Sequence, residues 1–222
     1  MDDRPSADPD LLAYAETHSS PQPAYLAQVA SHTREFSLAA GELVGPVVGR
    51  FLAMLVSITG ARRVLEIGTY TGYSALCVAE ALPPDGRVIT CEVDPEHARM
   101  AAEHITASPD RERIEIRLGR ALKTVAGLEG PFDMVYIDAE RTGYSAYLDA
   151  VLPKLAPGGF IVANNVLWKG QVLDAGRTDA ETRAMAAFSE RVARDPDLEA
   201  VMLTVGEGLT LIRPRKGRPR TA

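Results

Sequence analysis

Two glycines four residues apart, Gly68 and Gly72, sit in the stretch Glu66-Ile67-Gly68-Thr69-Tyr70-Thr71-Gly72-Tyr73-Ser74. Glycine lets a backbone turn sharply and approach a ligand closely. The spacing Gly-x-x-x-Gly is not the Gly-x-Gly-x-x-Gly that aims a helix N-terminus at a pyrophosphate. It disfavours a dinucleotide and suits a ligand without phosphate, with Ser74 and nearby amides placed for a carboxylate. A plain strand-to-helix turn would use the same residues. Glu92 ends the next apolar run, about 20 residues further on, where an acidic side chain accepts both hydroxyls of a ribose. Helix capping is its competing use, but Asp94, directly before Pro95, is better placed for that. Glycine loop and Glu92 together point to an adenosine-containing ligand.

Two more apolar runs end in oxygen-bearing side chains, one at Asp138 and the other at Asn164-Asn165. Neighbouring strands lie about 4.8 Å apart, so adjacent runs would let these three side chains converge. A hard divalent cation such as Mg²⁺ takes oxygen ligands in that arrangement. Capping of the loop that leads to Trp168 explains the Asn pair equally well.

Side chains at such run ends need a scaffold of alternating strands and helices. Helical patterns cover about Leu11 to His18, Pro23 to Leu38 and Pro46 to Ser57, with Pro46 at a favoured first-turn position. Strand patterns cover Arg63 to Ile67, Arg87 to Glu92, Ile114 to Leu118, Phe132 to Asp138 and Phe160 to Asn164. A tight turn, Pro157-Gly158-Gly159, is predicted before the last of these. The helices between them are Tyr73 to Ala81, Pro95 to Ala107, a short one to Ala126, Tyr144 to Leu155 and, after the last strand, Asp179 to Arg194. Leu198 to Thr204 and Leu209 to Arg213 flank a hairpin turn at Gly206-Glu207-Gly208. Five βα units predict an α/β fold, a parallel sheet covered on both faces and closed by an antiparallel hairpin. Ligands in such sheets bind at the carboxyl ends of the strands.

The 222 residues suit one domain, read as 10–213 with 10–60 a helical cap, a disordered segment 1–9 and a flexible basic tail 214–222. A net charge of -6 argues against a dedicated nucleic-acid binder, and the tail from Arg213 to Arg220 reads as solvated rather than as an RNA-binding arm. Cys77 and Cys91 lie in apolar stretches without zinc spacing, which predicts buried thiols and a reducing, cytoplasmic compartment. The start is polar and acidic with no signal-peptide pattern, and Phe51 to Ile58 is too short to span a bilayer.

The stretch Val64 to Ser74, with Glu92, Asp138 and Asn164-Asn165-Val166-Leu167-Trp168, resembles the cation-dependent O-methyltransferase family, which includes catechol and caffeoyl-CoA O-methyltransferases. The resemblance runs from about Leu11 to Leu211. It implies a single Rossmann-like methyltransferase domain with a mostly parallel seven-stranded sheet, S-adenosyl-L-methionine (SAM) as donor, a small aromatic hydroxylated acceptor and a homodimer. Glu66, Gly68 and Ser74, with Thr69 in the same loop, would hold the methionine part of the cofactor and Glu92 its ribose. Ala121 would contact the adenine, and Val44 would cover the cofactor. Asp138 would serve cofactor and metal, with Asn164 and Asn165 completing the cation site. In the family the metal binds two adjacent acceptor oxygens and lowers a hydroxyl pKa, and a lysine three residues after the aspartate takes the proton.

Two central positions depart from that pattern. Asn164 stands where the family has a second aspartate, and Arg141 stands in place of the lysine. One anionic ligand is lost, and an arginine is permanently protonated and cannot act as a base, although it can hold an anionic oxygen. Asp138 and Arg141 are the catalytic residues this implies. A weakened Mg²⁺ site, a metal-independent mechanism and loss of turnover all remain open. His18 and His32 are candidate replacement bases or surface histidines. Tyr144, Tyr147 and Trp168 are candidate acceptor walls or packing residues. An RNA-modifying methyltransferase and a cofactor-binding protein without catalysis are the alternative functions, and the glycine spacing disfavours a nicotinamide-linked oxidoreductase.

Overall fold

A computed structural model describes residues 8–36, 43–174 and 176–215. Most of the predicted segment 1–9 and tail 214–222 lies outside the described residues. Seven strands form one sheet: β1 (Arg63–Ile67), β2 (Arg87–Glu92), β3 (Ile114–Leu118), β4 (Phe132–Ile137), β5 (Leu155–Asn164), β6 (Leu198–Leu203) and β7 (Leu209–Pro214). Their order is β3-β2-β1-β4-β5-β7-β6. The first five pair in parallel, and β7 runs antiparallel to both β5 and β6. The order reverses between β1 and β4, which opens a crevice at their carboxyl ends.

Alternate residues of a strand face opposite sides. Leu65, Ile67, Val135, Ile137 and Ile161 pack under α7 (Tyr144–Val151) and α8 (Ala180–Arg194), against Leu148, Met185 and Phe188. Val64, Met134, Tyr136 and Val162 face α3 (Pro46–Thr59) and α4 (Tyr73–Ala81), against Leu52, Val56, Ala75 and Val78. Burial on both faces explains why these strands read as nearly continuous apolar runs. Cys77 and Cys91 are buried free thiols, each pushed up to about 12 by burial. None of the described helices is long and apolar enough to cross a membrane.

The polar caps do what their sequence positions suggest. Asp94 accepts from the Glu96 and His97 amides at the start of α5 (Pro95–Ala107), and Asp179 accepts from the Thr182 amide of α8. α1 (Pro9–Thr17) buries no residue, whereas α2 (Ala24–Phe36) lays Leu26, Val29 and Ala30 on Tyr73, Leu76, Ala101 and Ile105.

Two boundaries differ from the sequence reading by more than two residues. Pro157-Gly158-Gly159 is not a turn ahead of a strand but lies inside β5, where the register against β4 shifts between Phe132 and Met134. A Cβ on Gly159 would stand 2.8 Å from the Phe132 carbonyl oxygen, so the glycine is there for a close strand approach rather than for chain reversal. The predicted helix to Leu155 stops at Val151, and Leu152–Lys154 forms a 3₁₀ turn. Pro153 in that turn has no amide to continue the α-helical pattern.

Candidate active site

A cavity of about 510 Å³ opens at the carboxyl ends of β1, β2 and β4, within the size range of small-molecule sites. Gly68 leaves β1 with φ +99°, and a Cβ there would lie 1.9 Å from the Asp138 carbonyl oxygen. Only glycine lets this loop pass so close to β4. Gly72, at φ 86°, then caps the start of α4. Gly68 N–H donates to the Cys91 carbonyl at 3.0 Å and Asp138 N–H to the Ile67 carbonyl at 2.8 Å, which ties the three strand ends together.

Glu92 stands on the cavity wall where the spacing predicts it. Its carboxylate accepts from the Tyr70 amide at 2.7 Å, the Val93 amide at 2.8 Å and the Asp94 amide at 2.9 Å. Three backbone donors fix its orientation, and a carboxylate has about four acceptor directions. Val44, Gly68, Thr69, Ser74, Ala121, Asp138, Arg141 and Asn165 also line the cavity. Glu66 and Asn164 do not, being 1% and 3% exposed. Glu66 lies behind the loop and accepts from the Thr90 hydroxyl at 2.5 Å, while Thr90 meets Thr69 at 2.5 Å. Burial pushes the Glu66 carboxyl up to about 8, against the opposing hydrogen bonds from Thr90 and Ser74. Its Oε1 has no hydrogen-bond partner among the described residues.

The expected convergence at Asp138 occurs, with a different chemistry from three oxygens facing one point. Asn164 Nδ2 and Asn165 Nδ2 each donate to the Asp138 carboxylate at 2.9 Å, and the buried Tyr136 hydroxyl donates at 3.2 Å. A carboxylate only accepts, so a neighbouring carboxamide presents its NH₂ group and turns its oxygen away. The set offers one anion whose oxygens face hydrogen-bond donors, and as arranged it does not fit a hard divalent cation. The described residues contain no group of three His, Cys, Asp or Glu side chains able to hold a metal.

Arg141 begins a 3₁₀ turn, Arg141–Gly143, after β4. Its guanidinium carbon lies 4.2 Å from the centre of the Trp168 ring, a cation–π contact, and its buried Nε has no partner among the described residues. Tyr147 lines the cavity and donates its hydroxyl to Glu140, whereas Tyr144 is core, donating to the Asn164 carbonyl at 2.9 Å. Trp168 reaches the site only through Arg141. Neither candidate histidine base lines the cavity. His18 stacks on Tyr14, and His32 pairs with His104 at 2.8 Å.

The sequence reading did not single out Tyr70, His97, Arg120 and Glu140, all on the wall. His97 packs edge-on to Tyr70, with ring centroids 4.8 Å apart. Its place in the first turn after Glu92 and Pro95 was the available signal. Also unread was a polar seam from the N-terminal helices to the glycine loop. Tyr73 donates to Gln22 at 2.5 Å, Thr33 meets Thr71 at 2.8 Å, and His104 Nδ1 lies 2.8 Å from the Thr71 carbonyl.

Known proteins resemble this chain in sequence and fold. The sequence profile of the O-methyltransferase family matches residues 16–215. A catechol O-methyltransferase of Niastella koreensis is 37% identical over 164 residues, 72% of this chain and 74% of that protein. A caffeoyl-CoA O-methyltransferase of Zea mays is 34% identical over 179 residues, 74% of this chain and 67% of that protein. Among solved structures, the O-methyltransferase TomG of Streptomyces achromogenes, involved in tomaymycin synthesis and solved with SAM, superposes with a TM-score of 0.84 at 33% identity, covering 92% of this chain and 96% of that one. A Bacillus cereus O-methyltransferase in complex with SAH gives a TM-score of 0.85 at 32% identity, covering 93% and 97%. With a matching profile over most of its length, relatives above 30% identity and a shared fold, this chain belongs to the O-methyltransferase family.

Proposed function

We propose that the chain is a SAM-dependent O-methyltransferase for a small, hydroxylated aromatic acceptor. One observation carries the reading: a fixed carboxylate, Glu92, shares a cavity of about 510 Å³ with the Gly68–Ser74 loop at the point where strand order reverses. The names of the relatives support the acceptor class, and the two complexes support the cofactor. When bound, SAM supplies a methyl group made electrophilic by its sulfonium sulfur. Glu92 accepts from a ribose hydroxyl through the acceptor direction its three amide donors leave. Ser74 and the loop amides hold the methionine end, and Val44 and Ala121 flank the cofactor as apolar walls. The loop's contact with Asp138 sets the distance between cofactor and acceptor, so alignment of oxygen, methyl carbon and sulfur supplies much of the acceleration.

Calorimetric titration with SAM, followed by mass spectrometry of a catechol panel, tests this. Micromolar binding and a methylated phenol are the expected results. A folded, nucleoside-free chain that takes up no SAM overturns it. SAM binding without turnover on the panel favours a cofactor-binding protein without catalysis. A two-subunit assembly accompanies the proposal, and light scattering on the purified chain checks it.

A further inference from the structure

We infer that Arg141 is an oxyanion-binding residue that does the work of a metal here: it selects an acceptor whose reacting oxygen is already a phenolate, and methyl transfer proceeds without a divalent cation or a general base. The inference rests on the SAM-dependent reading above. Its first support is the guanidinium itself, held over the Trp168 ring at 4.2 Å and lining the cavity with a buried Nε that has no partner among the described residues. A buried donor without an acceptor is costly unless a ligand completes it, and guanidinium is built to hold an anionic oxygen.

The second support is the state of the other ionisable groups on the wall. Asp138 is wrapped by two carboxamide NH₂ groups and the Tyr136 hydroxyl. Glu140 accepts the Tyr147 hydroxyl. Glu92 holds three backbone amides, and His97 packs against Tyr70 next to it, on the ribose side. Arg120 is a second cation, and no lysine among the described residues lines the cavity. Among the described residues beside Arg141 there is thus no uncommitted base to take a proton, and no oxygen cage to hold a cation. An acceptor that arrives ionised needs neither. Its lone pair forms the O–CH₃ bond as the S–CH₃ bond breaks, the bonding pair passing to sulfur. Phenolate and sulfonium become methyl ether and thioether, and no proton changes hands.

The test uses nitrocatechol, whose absorbance reports its own ionisation, with the full chain loaded with S-adenosylhomocysteine (SAH) and EDTA present. Bound nitrocatechol is expected to be ionised at a pH where the free phenol is mostly protonated. Arg141→Gln should lose that shift and weaken binding by about 100-fold, with Arg141→Lys recovering part of it. With SAM in place of SAH, turnover in EDTA should match turnover with Mg²⁺, and rates across phenols of graded acidity should track the fraction ionised. Ionisation or turnover that appears only with Mg²⁺ overturns the inference, as does unchanged binding in Arg141→Gln. SAH titration of each variant separates the causes. If wild type takes up no SAH, the cofactor reading fails and this inference with it. If SAH binds normally but nitrocatechol binds in its neutral form, only this inference fails.

Discussion

Glu66 shows how burial can turn an acidic side chain into a neutral one. Its carboxyl holds a proton up to about 8, against an ordinary value of 4.5, chiefly because burial penalises the charge. Between those values the folded chain keeps a proton that the unfolded chain has lost. Its contribution to stability is therefore full below 4.5 and is lost as pH rises through about 8. Urea midpoints of the cofactor-free chain should fall across that window, by at most about 1.4 kcal/mol per pH unit from this group, and Glu66→Gln should flatten the fall. A slope identical in both chains would mean that Glu66 is charged in the fold. Gly68 makes a second residue-scale case. Gly68→Ala drives a Cβ into the Asp138 carbonyl and should cost on the order of 3 kcal/mol and most cofactor affinity. Gly60→Ala is the control, with φ +67° and nothing within 4 Å of the added carbon. It should cost about 1 kcal/mol and leave cofactor affinity alone, as denaturant curves and SAM titrations would show. Glu92, Asp138 and Asn165 were legible because each ends an apolar run and so must emerge at the strand ends. Glu66 and Asn164 sit one step back on their strands, where side chains turn inward, and sequence spacing alone does not separate the two situations. The direction of the Asn amides was not legible either, because a carboxamide carries donor and acceptor in one outline.

At the scale of elements, the regular ones were readable and the irregular ones were not. β1, β2, β3, α4 and α5 run where periodicity and caps place them, since each carries its own start and stop signals. The bulged entry to β5 used the same Pro-Gly-Gly letters as a turn, and only pairing with β4 distinguishes the two. The seam between α2 and the glycine loop joins residues far apart in the chain, so no local pattern announces it. Its chemistry is pH-sensitive. The Thr71 carbonyl can only accept, so His104 Nδ1 carries the proton and Nε2 of the neutral ring accepts from His32 Nδ1. Burial pushes His104 below the ordinary value of 6.5. The unfolded chain therefore protonates first as pH falls. The seam's contribution is present above 6.5 and is lost as pH drops through the lower folded value. SAM affinity should weaken several-fold on that descent, and His104→Leu should abolish the dependence while costing about 1–3 kcal/mol for the orphaned carbonyl. The slope runs opposite to that of Glu66 where the windows overlap, so the two variants must be measured separately. A His104→Leu chain that keeps the wild-type acid dependence would remove the seam from the cofactor's control.

Over the whole molecule, the sheet order β3-β2-β1-β4-β5-β7-β6 converts scattered residues into one site. Glu92 from β2, the glycine loop from β1, and Asp138 and Arg141 after β4 meet because the strands reverse order where they do. A ligand bound across that junction ties three strand ends and α4 to one another, and it is held by the folded chain alone. Linkage then requires a stability gain of about 2.7 kcal/mol at a ligand concentration 100 times Kd. For a chain of this size that corresponds to roughly 5–10 °C in Tm. SAH should give a shift of that order in thermal unfolding. NADH should give none, because the loop lacks the glycine pattern that receives a pyrophosphate. Glu92→Ala should erase most of the SAH shift while changing the unliganded Tm little, since backbone amides freed at the cavity wall find water. A full SAH shift in Glu92→Ala would place the ribose elsewhere. An NADH shift equal to that of SAH would mean that the cavity recognises adenosine alone, and that the selectivity for a methyl donor resides in the methionine end of the loop.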